Sequence, residues 1–531
     1  MASKHAMKRQ TKKRAQARRV KTEKQHQISL CMIVKNEEEF LPACLDSVKG
    51  VVDEIIIVDT GSTDRTVEIA RQYGAKVYHY EWNDDFAAAR NESLRHATCG
   101  WILVLDADER LGPGSASPLR AIASGAGPKA VYACRIENHC SPTRVTEHVA
   151  SRFFPNHYGV VFEGPVHERP VLPQGGPLSP LSREYVPLVL EGFTVIHEGY
   201  REDTMRKRNK RQRNLVLLEK ALSAADNEYY RYKLGATLLE EGRTQEAIGH
   251  LRAAVAALTR ARERTTEYAA GIHALLLLSC AYMKNRELDL SKACADRALA
   301  AFPESVLAQY QMGLVMFERG ELQEARDLFV RIASRADHGG FRPQDSLGFD
   351  PSINTWKSRT MAARCSLRMG DLTGAVAFLV DAARYLPRDA QYLTTVQRVL
   401  SDIEAGKPRL AGDCLAGLHF LRQVLEEEAR DRKRAGDEEF NRGLYKSALN
   451  LYTGALALGY VPDGEILARV AACLVHTGRK HDGFLTYLKA LRAAPGDVTT
   501  VNLLLELTRT FKGGLYPEPS AEETVGAVVG Q

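Results

Sequence analysis

Four short apolar runs alternate with three helical patterns in the first 105 residues, and this alternation restricts the fold more than any other feature of the chain. The runs are Ile28 to Val34, Glu54 to Val58, Ala75 to Tyr80 and Trp101 to Leu105. Their β-branched content marks them as buried strands. After the first, Asn36, Glu37 and Glu38 open a helix to about Lys49, with Phe40, Leu41, Cys44, Leu45 and Val48 at helical spacing. Thr63 reads as the N-cap of a helix through Tyr73, and Phe86 to Ala97 forms the third. Strand and helix in strict alternation predict an α/β domain with a mostly parallel central sheet and helices on both faces. Such sheets bind ligands outside the carboxyl ends of their strands. Three polar stations share that rim: Lys35-Asn36-Glu37 just after Val34, Asp59-Thr60-Gly61-Ser62, and Asp106-Ala107-Asp108.

In an extended chain Asp106 and Asp108 point to the same side. Two carboxylates so placed repel unless a cation lies between them. Oxygen ligands at the end of a buried strand suit Mg2+ or Mn2+ that also holds substrate phosphates. The competing reading is a polar turn after a core strand. No GxGxxG and no GxxxxGK[ST] follows the first strand. An acidic rim with a paired carboxylate fits a nucleotide diphosphate held through a metal better than a bare phosphate cradle.

Four segments together, Cys31-Met-Ile-Val-Lys-Asn-Glu-Glu38, Ile57-Val-Asp-Thr-Gly-Ser-Thr-Asp64, Asp85-Phe-Ala-Ala-Ala-Arg-Asn91 and Leu105-Asp-Ala-Asp108, resemble the family 2 glycosyltransferases of the GT-A fold. That resemblance implies a UDP-sugar or related donor, a divalent metal and an inverting mechanism. The subgroup it points to joins this domain to tetratricopeptide repeats, and includes peptide S-glycosyltransferases, flagellin glycosyltransferases and lipopolysaccharide-core glucosyltransferases. Carried over, Val34, Asn36, Glu37 and Asp59 would meet the nucleoside end of the donor, and Asp64 would brace that loop. Arg90 would approach the diphosphate or the metal-side carboxylates. Asp108 would bind the metal, with Asp106 supporting it or meeting ribose. A helix-surface ion pair for Arg90 and a turn role for Asp64 are the alternatives.

Residues 111–128, rich in Gly, Pro, Ser and Ala, read as a connection around one short helix; Val131 to Glu137 and Val149 to Phe154 read as strands. Arg152, inside the second, reads as a sheet-face residue. Next comes Val160-Val-Phe-Glu-Gly-Pro-Val-His-Glu168. The resemblance places a Gly-x-x-His-Glu segment beside the acceptor pocket. An inverting transfer needs a group to take the acceptor proton, so Glu168 and His167 are the candidates, with Glu163 behind; a pocket hydrogen bond or a solvated loop is the other reading of Glu168. A strand ending at Ile196 delivers His197-Glu-Gly-Tyr200, where the resemblance places a further metal ligand, His197. The family most often has an aromatic residue where this chain has Glu198. Arg206, Lys207, Arg208, Lys210, Arg211 and Arg213 then crowd a helix start. They form either a solvated basic face or a set from which Arg206 and Arg213 close over the diphosphate.

From Tyr230 strands give way to helical spacing. Gly235, Ala247, Leu251 and Ala254; Gly313, Ala325 and Phe329; Ala363, Ala375, Leu379, Ala382 and Pro387; Ala448, Tyr452 and Ala455; and Ala471, Gly483, Tyr487, Ala490 and Pro495 each fit the tetratricopeptide signature. Residues 271–302 and 393–427 read as further helical pairs. Tyr445, Tyr452 and Tyr487 read as packing residues. Such repeats stack into a solenoid that holds an extended peptide or a protein partner, or serves as a scaffold for homo-oligomerisation.

At 531 residues the chain exceeds one core. The expected division is a basic disordered tail over 1–27, the glycosyltransferase domain over 28–225, repeats over 226–334, a loop over 335–354, repeats over 355–510 and a C-terminal tail over 511–531. Ten Lys and Arg against Glu23 alone make the first segment strongly basic, while the net charge of the whole chain is +6. The tail reads as a solvated arm or as a weak contact for an anionic membrane surface, and carries no motif for nucleic acid. No apolar run approaches membrane-spanning length. The 10 Cys, scattered without paired or metal-type spacing, suit a reducing cytoplasm. The leading expectation is sugar transfer to a protein or peptide; lipopolysaccharide core or another cell-surface glycan is the alternative acceptor. A repeat protein with a non-catalytic sugar-binding fold is disfavoured by the intact set of charged residues.

Overall fold

The structure is a computed structural model and describes residues 24–141, 144–172, 188–198, 210–258, 266–335, 350–385, 389–406 and 412–510. Two compact units divide the chain, one ending at Ser358 and the other beginning at Arg359.

In the first unit an eight-stranded sheet has the order β3-β2-β1-β4-β7-β6-β10-β5. Its members are β1 (Ile28–Val34), β2 (Glu54–Asp59), β3 (Lys76–His79), β4 (Trp101–Val104), β5 (Glu109–Leu111), β6 (Tyr132–Ser141), β7 (Arg144–Pro155) and β10 (Leu188–His197). β1 to β4 pair in parallel, as the alternation predicts. β6 and β7 form a long antiparallel hairpin, and β10 lies parallel to β6. Strand alternation sorts the core. Ile28, Leu30, Met32, Trp101 and Leu103 meet α1 (Leu41–Ser47), α2 (Thr66–Gln72) and α4 (Ala116–Ala121) on one face. Cys31, Ile102 and Val104 face α3 (Phe86–His96) on the other.

Two local expectations change. The first helix begins at Leu41 rather than near Asn36, because residues 36–40 are used as a rim loop with Asn36 at φ 55°. Thr63 does not cap α2; Arg65 stands at its N-cap without a side-chain hydrogen bond, and Asp64 accepts from the Thr66 amide at 3.0 Å. Three short strands went unforeseen: β5 and the two of the hairpin described below. β5 pairs with the end of β10 over three residues, a span too short to carry periodicity. Residues 24–27, just before β1, are also tied down: the Gly100 amide donates to Lys24 O at 2.7 Å, and a Cβ on Gly100 would lie 2.3 Å from Gln25 O.

A small hairpin, β8 (Val161–Glu163) with β9 (Arg169–Val171), sits between the sheet and the helices that follow. Those helices are α5 (Lys210–Ala224), α6 (Glu228–Glu240), α7 (Thr244–Leu258), α8 (Thr266–Lys284), α9 (Leu288–Ala301), α10 (Val306–Arg319) and α11 (Leu322–Ala333). Val166, in the turn of that hairpin, is buried in the same core as Leu218, Tyr232 and Leu251. Arg169 lies 5.2 Å over the Tyr229 ring.

The second unit holds most of α12 (Trp356–Arg368), then α13 (Leu372–Ala383), α14 (Ala390–Gly406), α15 (Gly412–Asn441), α16 (Tyr445–Ala457), α17 (Gly464–His476), α18 (Lys480–Ala493) and α19 (Val498–Thr510). The helical pair expected at 393–427 does not end there. α15 runs for 30 residues, because 426–434 contains no Gly or Pro and Glu428–Arg432 and Lys433–Asp437 pair one turn apart. Tyr452 and Tyr487 are buried and Tyr445 stacks on His476 at 3.9 Å, so all three pack as expected.

Candidate active site

Two rim loops lock together at the ends of β1 and β2. Val34 O accepts from Thr60 N and Oγ1 at 3.0 and 3.1 Å. Asn36 Oδ1 accepts from the Thr63 amide at 2.8 Å, and the Glu37 amide donates to Thr66 Oγ1 at 2.7 Å. Asp64 accepts from the Glu38 amide at 3.2 Å and from Thr66 Oγ1 at 2.5 Å. Burial pushes the Asp64 pKa up, but these hydrogen bonds outweigh it and hold the carboxyl below its usual value. Buried Asp59 accepts from the Gly61 and Ser62 amides at 3.2 and 3.1 Å, with His79 Nδ1 at 3.5 Å.

After β4 the chain does not stay extended. The Glu109 amide donates to Asp106 O at 3.0 Å, closing a turn across Asp106-Ala107-Asp108. The expectation of an extended backbone through Asp106 and Asp108 therefore fails, while the Asp108 charge still acts to raise the Asp106 pKa. Asp106 follows the α3 face: its Oδ1 accepts from Arg90 Nη2 at 2.7 Å, and Arg152 Nη2 is 3.6 Å from Oδ2. Burial raises the Asp106 pKa, but Arg90 and Arg152 more than reverse this and hold it low. Arg90 also donates through Nε to Glu168 Oε1 at 2.5 Å, and its guanidinium lies 5.6 Å from the Phe162 ring centre. One buried arginine thus bridges the strand-end carboxylate to the hairpin after β8. Its buried Nη1 has no hydrogen-bond partner among the described residues.

Asp108 turns toward β10. His197 Nε2 is 3.4 Å from Asp108 Oδ1, and His197 Nδ1 is 2.9 Å from Asn138 Oδ1. Among the described residues no group of three or more His, Cys, Asp or Glu gathers as a metal centre. Asp108 and His197 are a facing pair, while Asp106 is engaged by the two arginines. Glu198, the departure from the family pattern, accepts from Arg110 Nη2 at 2.6 Å. Beside Glu168, burial, Lys233 and Arg213 push His167 down to about 3. Glu163 is exposed at the end of β8. Arg213 lies 5.0 Å over the Phe86 ring, and Arg206 lies outside the described residues.

The sequence profile described as Glycosyl transferase family 2 matches residues 29–165, and that of the tetratricopeptide repeat matches 276–340 and 433–498. A TPR repeat-containing protein of Synechococcus elongatus is 36% identical over 314 residues, covering 57% of this chain and 73% of that protein. The chain belongs to the family 2 glycosyltransferases joined to tetratricopeptide repeats. The glycosyltransferase SunS of the SPbeta prophage of Bacillus subtilis is 28% identical over 237 residues, 43% of this chain and 53% of that protein. The glycosyltransferase therefore spans about half the length of this second relative. A solved tetratricopeptide repeat protein from Parabacteroides merdae covers 57% of the chain at 14% identity, over 94% of its own length, with a TM-score of 0.29, too slight a likeness to bear on the fold.

Sequence reading alone missed several groups that the glycosyltransferase places at this site. Arg152 is more than a sheet-face residue. Its Nη2 donates to Glu109 Oε1 at 2.6 Å while flanking Asp106. Glu109 is buried, which raises its pKa against the pull of Arg152. An arginine inside an apolar strand, with an acidic residue beside the Asp106-Ala107-Asp108 triplet, was the available signal. Asn138 and His148 left none, since hairpin register alone brings them here.

Proposed function

We propose that this glycosyltransferase moves a sugar from a UDP-sugar, or a related nucleotide sugar, to a side chain of a protein or peptide with inversion at the anomeric carbon. The observation that most supports this is the Arg90 bridge, which couples the donor-side carboxylate Asp106 to Glu168 on the acceptor-side hairpin. Asp59, Asn36, Glu37 and the end of β1 at Val34 would meet the nucleoside, in loops that Asp64 braces. Arg213 and Arg206 would close over the diphosphate.

The residues present fit a divalent cation held by few protein ligands. With Nδ1 committed to Asn138 Oδ1, His197 turns Nε2 toward Asp108 Oδ1, and this pair of side chains suits a divalent cation such as Mn2+ or Mg2+ completed by substrate oxygens. When bound, that ion would offset the charge growing on the leaving diphosphate. Asp106 orients Arg90, whose charge can act on the same diphosphate.

Glu168 is the better base. Arg90 holds its Oε1, leaving Oε2 for the acceptor proton, whereas His167 at about 3 is too weak. As the acceptor atom bonds to the anomeric carbon, its proton passes to Glu168. The bond to the diphosphate oxygen breaks and its electron pair leaves with the nucleotide. The helical repeats would hold the acceptor chain. Free cysteines, eight of the nine described being buried, fit a cytoplasmic setting.

Intact-mass measurement after incubation with a panel of nucleotide sugars, Mn2+ and peptides encoded by neighbouring genes tests this. A hexose-sized mass gain is expected. Asp108→Asn should abolish donor hydrolysis while circular dichroism is unchanged, and unaltered turnover would remove the metal from the reading.

A further inference from the structure

Across the end of the sheet, strand register sets a row of side chains on four adjacent strands. His197 on β10 pairs with Glu109 on β5 and with Asn138 on β6, and Asn138 pairs in turn with Thr146 on β7. Asn138 is 5% exposed. Its Nδ2 donates to Thr146 O at 3.2 Å and meets His148 Nδ1 at 2.9 Å. A backbone carbonyl can only accept, so Thr146 fixes which end of the amide is nitrogen. The opposite end, Oδ1, then faces His197 Nδ1 at 2.9 Å and can only accept from it. Nδ1 of His197 is thereby the nitrogen that carries a proton to Asn138, and Nε2 is turned toward Asp108 Oδ1 at 3.4 Å.

We infer that Asn138 is a positioning residue that sets the tautomer and ring orientation of His197 for binding a divalent cation with Asp108. His148 and Thr146 act one step further out, by holding the Asn138 amide in its orientation. This rests on the metal reading given above. A histidine whose second nitrogen loses its partner samples both tautomers and several ring orientations, which typically costs about 10- to 100-fold in metal affinity.

Two readouts on the full-length protein test it. In the metal-free state, at a pH where the ring is neutral, 15N spectra of histidine-labelled protein should show His197 as the Nδ1–H tautomer. Asn138→Leu should shift it toward Nε2–H or a mixture, and Asn138→Asp, which keeps an acceptor there, should restore it. Titration with Mn2+ alone, followed by electron paramagnetic resonance, should show Asn138→Leu binding about 10- to 100-fold more weakly and Asn138→Asp recovering most of the loss. If Asn138→Leu keeps wild-type affinity while Asp108→Asn loses it, the role of Asn138 is overturned and the metal site stands. If Asp108→Asn also keeps it, the metal reading falls and this inference falls with it. Should Asn138→Leu fail to fold, the Asn138→Asp and Thr146→Val spectra carry the test, and a His197 tautomer other than Nδ1–H in the wild type overturns it.

Discussion

Arg90 is the residue on which most of the candidate site depends. Buried and shared between Asp106 and Glu168, it offsets two carboxylates that would otherwise repel each other. Arg90→Ala should therefore destabilise the protein by about 3 kcal/mol or more, read as a lower urea midpoint. Arg90→Lys should fold, yet lose most donor hydrolysis, because a point charge cannot bridge both carboxylates as the planar fork does. Glu54, at the start of β2, gives a pH test away from the site. Burial works to raise its pKa, but hydrogen bonds from Lys76, Ser29 and Thr98 bring it to about 2. A carboxylate depressed in the folded state stabilises above its unfolded pKa and loses that stability as pH falls through the folded one. The loss should run from about pH 4.5 to about pH 2 and amount to about 1–2 kcal/mol, discounted because Lys76 is 55% exposed. Comparing acid unfolding of Glu54→Gln with wild type checks it: the gap should narrow toward pH 2.

At the scale of elements, the helical repeats show why their signature has its spacing. A Cβ on Gly235 would sit 2.6 Å from Leu251 Cγ, one on Gly313 2.7 Å from Phe329, and one on Gly436 2.7 Å from Tyr452. In each pair, sixteen residues apart, the first helix gives up a side chain so that the large residue of the second can lie against its backbone. Gly436 was not among the signature residues read from the sequence, because α15 runs through it without a break. Gly436→Ala should cost about 1–3 kcal/mol, since buried Tyr452 has to move and its hydrogen bond to Asp437 at 2.9 Å with it. A lowered thermal midpoint measures this; an unchanged one would mean the α15–α16 packing is looser than described.

For the whole molecule, two compact units imply separable cooperativity. Scanning calorimetry should resolve more than one transition. Mn2+ with UDP should raise only the one belonging to the unit that ends at Ser358, by about 2–3 kcal/mol at a hundredfold excess over the dissociation constant. A uniform shift of all transitions would show that the units unfold together. Residues of α6 belong to this same unit and pack on the hairpin that carries Glu168, so the first repeat is part of the support for the proposed base.

Much of this was legible in the chain itself. The β1 to β4 alternation, the rim stations, the strand-borne His197 and the repeats all follow from periodicities of two and 3.6 residues, which are local properties. Local pattern also placed Arg90 on α3, and the family resemblance singled out Glu168, but neither could say that they touch. Tertiary structure decided the rest. A turn after β4 gave Asp106 and Asp108 different partners, and antiparallel register drew Arg152, Asn138 and His148 from the β6–β7 hairpin into the site. Register is a pairing between segments far apart in sequence, and a slip of one residue would turn Asn138 to the opposite face of the sheet. No single stretch of sequence encodes it.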